Sequence, residues 1–135
     1  MADTKEVAER KDDQADRLAS LYGLTPKVES AIVDAVQSGA VHRLRTLVAP
    51  LHPADQADLL ERLPTRSATA LVRLLGDHLD AETLTYVDES TREAIIEAIG
   101  TDGLARQLQD LSTDDAITII EELEQDDLRD VLAAL

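Results

Sequence analysis

Cysteine, tryptophan and phenylalanine are missing from this 135-residue chain, and Tyr22 and Tyr86 are its only aromatic residues. Without cysteine there is no disulfide, no thiolate zinc site and no cysteine nucleophile, and the composition is compatible with a reducing compartment. Without aromatics the core has to be built from Leu, Ile, Val and Ala, a mixture that favours helix over strand. No apolar run approaches the roughly 20 residues that cross a bilayer. The charged residues 1–20 contain no signal-peptide apolar core, so a soluble chain is expected. No glycine-rich loop cradles phosphate, and Ser20, Ser38 and Ser67 have no partner set for nucleophilic chemistry. An enzyme is therefore not expected.

Positive charge is also scarce: 13 Lys and Arg stand against 28 Asp and Glu, a net charge of −15. The imbalance is local. Residues 1–24 carry −2 and residues 25–51 carry +1, whereas residues 52–135 hold six basic and twenty acidic side chains. Such a surface repels nucleic acid and anionic lipid, and it attracts cations or a basic protein face.

What the chain has in abundance is a period. Every twelfth residue from Leu51 is aliphatic: Leu51, Leu63, Leu75, Val87, Ile99, Leu111, Leu123, Leu135. A second column, Leu60, Val72, Leu84, Ile96, Leu108, Ile120, Leu132, is aliphatic throughout as well. Between them His52, Pro64, Gly76, Asp88, Gly100, Ser112 and Glu124 are mostly turn formers or capping residues. The spacing predicts a helix of about two turns and a tight corner in every unit. Ser112 with Asp115, and Asp88 with Thr91, have N-cap spacing, and Pro53 and Pro64 suit helix starts. Helices this short are unstable alone, so each is expected to stack on its neighbour. The fold class is all-α, a right- or left-handed superhelix of short stacked helices in 12-residue helix-turn units.

Upstream the pattern is looser. Thr25 before Pro26 predicts a helix start, residues 27–38 a helix with Val28, Ile32, Ala35 and Val36 on one face ended by Gly39, and residues 41–48 a second short helix. Residues 1–24 read as a frayed or flexible lead, and residues 25–135 as the helical domain.

Two phrases in this ladder are familiar. "LHPADQADLLERLP", residues 51–64, resembles the His-Pro-x-Asp segment that opens the cytosolic N-terminal domain of the MgtE family of magnesium channels. "LSTDDAITIIEEL", residues 111–123, is similar to that domain's second recurring phrase. The resemblance covers about residues 25–135. It implies a regulatory cytosolic domain that senses Mg2+ through ions held between its acidic face and a CBS domain of the same transporter, which is homodimeric at full length. CBS domains and a pore are not in this chain, which is therefore expected to be an excised regulatory domain or a stand-alone relative.

Carried over residue by residue, the resemblance implies metal roles for Glu82 and Asp114, with Asp115, Glu121 and Glu122 as weaker candidates. Thr118 stands where the family has a further acid one helical turn after Asp114. An acidic charge near a helix start is accounted for equally well by the helix dipole. His42, His52 and His78 lack the i, i+4 spacing of a zinc helix and are not expected to bind metal. The alternative is a metal-independent α-helical protein–protein interaction scaffold, similar to the helical repeats of the flagellar motor switch. On either reading the expected location is cytoplasmic, with no direct membrane insertion.

Overall fold

The computed structural model describes residues 23–135 and is helical throughout, with no strand among them. Of the flexible lead expected over residues 1–24, positions 1–22 lie outside the described residues. Eight α-helices follow in order: α1 (Pro26–Ser38), α2 (Val41–Val48), α3 (Pro53–Arg62), α4 (Thr65–Leu75), α5 (Thr83–Tyr86), α6 (Glu89–Gln109), α7 (Thr113–Glu121) and α8 (Gln125–Ala134). A single 3-10 turn, Gly76–His78, separates α4 from α5. None of these helices is long and apolar enough to cross a membrane.

The corner column marks the helix boundaries. His52, Pro64, Asp88, Ser112 and Glu124 are the N-cap residues of α3, α4, α6, α7 and α8, all with extended ψ. Gly76 closes α4 at φ 52°, and Gly100 interrupts α6 at φ 75° and ψ 175°, so that the 21-residue helix is two units joined through a kink. The expected caps form. Thr25 Oγ1 accepts from the Val28 amide at 3.2 Å, Asp88 Oδ1 from Thr91 at 2.7 Å, and Ser112 Oγ from Asp115 at 3.3 Å. Each satisfies one of the amides that a helix start leaves unpaired. His52 also caps, its Nδ1 accepting from the Ala54 amide at 3.0 Å.

Stacking follows a longer step than the expected one. The principal partners of α3, α4 and α6 are α5, α6 and α8, and the 3-10 turn also packs on α6. From α3 onward the strongest contacts thus join a helix to one two places along, whereas the consecutive α1 and α2 pack directly on each other. The long-range side-chain hydrogen bonds keep the same step, joining residues 24 to 30 positions apart. This arrangement is compatible with a superhelical stack.

A third column is the deepest. Ala35, Leu47, Leu59, Leu71, Thr83, Ile95, Gln107, Ile119 and Val131 recur every twelve residues, and all are buried, with at most 5% of their surface exposed. The ladder therefore begins in α1, and one core runs from Val28 to Val131. Burial fades over the last two units, where Ile117, Leu132 and Leu135 are about half exposed.

Candidate functional site

Glu82 lies in the loop that interrupts the regular ladder, at the N-cap position of α5. Its side chain makes no capping bond and is exposed; its amide donates to Asp80 Oδ1 at 3.0 Å. Gln56, on α3, holds this loop in place. Its Oε1 accepts from the Thr83 hydroxyl at 2.8 Å and the Asp80 amide at 3.3 Å, while its Nε2 donates to the carbonyls of Val48 and Leu51. Gln56 is 2% exposed, so these four bonds replace its contact with water and fix where Asp80 and Glu82 sit. The sequence carried a signal for it: Gln56 is three and four residues before Leu59 and Leu60, on the apolar stripe of α3.

Around Glu82 the surface forms an open depression of about 420 Å³, lined by Asp77, His78, Asp80, Glu82 and Asp110 among others. Asp77 is also paired with Arg106 Nε at 3.0 Å. The structure thus brings His78 and three further carboxylates to the rim that holds Glu82. Asp114 is on a different stretch of surface, in the first turn of α7 after the Ser112 cap, and is exposed. Asp115 shares that turn, and its amide is the one the cap receives. Thr118, which leaves α7 one carboxylate short of the pattern read from the resemblance, donates its hydroxyl back to the Asp114 carbonyl at 3.0 Å within the helix.

Glu121 ends α7 and is exposed. Glu122 is its C-cap residue, and its carboxylate pairs with Arg92. Arg92 is a hub: Nε donates to the Leu84 carbonyl at 2.7 Å and Nη2 to the Val87 carbonyl at 3.1 Å. Glu122 thus completes a tie between the α5–α6 corner and the end of α7. Of the other histidines, His42 is exposed, and His52 packs edge-on against Tyr86 with ring centroids 5.8 Å apart.

Among the described residues no group of three or more His, Asp or Glu side chains converges in a way that would hold a metal ion. The donors at Glu82 and Asp114 are exposed carboxylates, hard oxygen ligands that reach one or two at a time into water. That donor set fits a small hard cation that keeps most of its hydration shell, and does not fit a closed protein cage.

Comparison with curated proteins and with solved structures finds no match. The family model of the MgtE intracellular N domain matches residues 51–135, which contain the ladder from α3 to α8. That match spans more than half of the sequence and both phrases of the resemblance, and the chain accordingly belongs to the MgtE intracellular N domain family, a magnesium-transporter-associated domain that is not a known enzymatic family.

Proposed function

We propose that this chain is the magnesium-sensing regulatory part of a transporter on the cytosolic side of the membrane, and that it works by docking its acidic face onto a CBS domain through bridging Mg2+ ions. The observation that carries the reading is the family match over the acidic ladder. Residues 52–135 hold twenty acidic and six basic side chains. Two carboxylates about 4 Å apart repel by roughly 4 kcal/mol at the effective dielectric of a protein surface, and a divalent ion between them reverses the sign. Screening limits the effect to about 8 Å at physiological salt, so only carboxylates at the contact take part.

Glu82 and Asp114 are the carboxylates assigned to that contact, and Asp115, Glu121 and Glu122 contribute less. Glu122 is the weakest of the five, because Arg92 already neutralises it. In the homodimeric transporter, loss of Mg2+ from these shared sites frees the domain from its CBS partner and relaxes the closed state.

Titration of the 15N-labelled chain with MgCl2, alone and with a CBS domain added, tests the proposal. Weak, fast-exchange shifts at Glu82 and Asp114 are expected without the partner and tighter, saturable ones with it. Glu82→Gln with Asp114→Asn should abolish the gain that the partner brings, whereas Thr118→Asp should raise it. No site-specific response in the presence of the CBS domain would refute the docking role. Tight stoichiometric binding to the chain alone would refute the sharing of the site.

A further inference from the structure

Beside the Arg92–Glu122 pair, which forms part of its lining, is a groove that the principal magnesium candidates Glu82 and Asp114 do not line. It has a volume of about 490 Å³ and runs between the first half of α6 and the corner joining α7 to α8. Its floor is aliphatic, formed by Ile96 and Leu123, both only partly buried. One wall carries Glu89, Glu93 and Glu97 at intervals of four, all exposed, and the other carries Glu124 and Asp127.

The spacing of the glutamates is costly where it stands. Residues four apart face each other on a helix, and like charges there are destabilising by about 0.2–0.5 kcal/mol per pair. Other acids on the ladder already supply solubility. Arg92 is the one base lining the groove, and its three nitrogens are occupied by Leu84, Val87 and Glu122. Besides Glu122, which Arg92 pairs, five carboxylates therefore line the groove beside an aliphatic strip, and among the described residues lining it there is no second base to neutralise them.

We infer that this groove is a docking site for a basic amphipathic helix of a partner polypeptide. An aliphatic side chain of that helix seats between Ile96 and Leu123. Its Lys or Arg residues, four apart on the same face, meet Glu93 and Glu97 on one side and Glu124 and Asp127 on the other. A matching helical repeat of opposite charge is what a wall with that spacing complements. The chain does not supply such a helix itself: residues 1–22 carry six acids against four bases, and a second copy brings a further −15. Among the described residues the locally basic helices are α2 and α4, and their apolar faces, Leu44, Leu47 and Val48 in one and Leu71, Val72 and Leu75 in the other, are buried in the core. The inference uses neither Glu82 nor Asp114; of the five magnesium candidates Glu122 alone lines the groove, and it is already paired with Arg92.

The test is a titration of the labelled 135-residue chain with a synthetic Lys/Leu peptide patterned as an amphipathic helix, beside a scrambled peptide of equal composition. Saturable shifts are expected around Ile96, Glu97, Leu123 and Asp127, with the scrambled peptide binding at least about tenfold more weakly because it cannot seat its leucines. Charge reversal on one wall, Glu93→Lys with Glu97→Lys, should cut affinity at least about tenfold, and so should Glu124→Lys with Asp127→Lys on the other. All four residues are exposed, and circular dichroism checks that each variant folds. Asp34→Lys, on the distant α1, should leave affinity unchanged. Equal binding of the scrambled peptide, equal loss in the Asp34 variant, or shifts spread over every acidic surface would overturn the proposal. Mg2+ that shifts the groove resonances while the peptide has no effect would overturn it too.

Discussion

At the scale of single residues, two buried amides are satisfied to different degrees. Gln56 has both ends satisfied, by two backbone carbonyls on one side and by the Thr83 hydroxyl and Asp80 amide on the other. Gln107 donates to the Leu79 carbonyl at 3.2 Å, but its buried Oε1 has no partner. Gln56→Leu strands several buried polar groups and is expected to cost about 3 kcal/mol. Gln107→Leu, which removes an unpaired acceptor along with one bond, is expected to cost less than about 1 kcal/mol. Urea denaturation of the two variants separates these values. Asp88 provides a pH signature. Hydrogen bonding to the Thr91 backbone amide, then to its side chain, and the nearby Arg92 hold its carboxyl below the ordinary 3.8. A depressed folded value means that the contribution is complete above the unfolded pKa and is lost as pH falls through the folded one. In Asp88→Asn, which retains a capping oxygen, the urea midpoint should depend less on pH in the acid range. The caps were legible in the sequence, because an N-cap needs only a local spacing. Thr83 and Gln107 were not, since two polar residues broke an otherwise aliphatic column whose depth depends on partners 27 and 28 positions away.

At the scale of elements, the corners decide the shape. Proline, serine and aspartate corners could be read from residue type, and so could the positions of α1 and α2. The unit from Gly76 to Tyr86 is different: it becomes a 3-10 turn, a loop and a four-residue helix where the period predicts a plain two-turn helix. The Asp80 amide and Thr83 hydroxyl are drawn to Gln56 there, which competes with a regular helix for those groups. Glu82 was found in the sequence only through the family resemblance, and its setting on that irregular loop was hidden because it depends on Gln56 of another helix. Gly100 makes the kink in α6 with a backbone conformation that L-residues avoid, although a Cβ there would meet nothing within 4 Å. Gly100→Ala should therefore cost about 1–3 kcal/mol through backbone strain alone. A semisynthetic chain with D-alanine at position 100 should be at least as stable as the parent, because the D-residue favours that region and loses freedom in the unfolded state. Thermal unfolding of the two chains provides the comparison.

At the scale of the whole molecule, the step of two units has a consequence for how the domain can change length. Ala57, Ala81 and Ala105 are buried, whereas Thr69, Glu93 and Ile117, each twelve residues further on, are not. Through its middle, from α3 to α6, the ladder consequently has parity: alternate rungs pack together, and a rung there is shaped for its own kind. Deleting residues 64–87 removes one rung from each stack and should leave a chain that still melts in one cooperative transition. Deleting residues 76–87 moves every later rung into the wrong stack, brings Glu93 to positions built for alanine, and should abolish cooperative melting in differential scanning calorimetry. Growth or shortening of such a domain is thus confined to pairs of units, so its natural quantum is twenty-four residues although its visible rhythm is twelve.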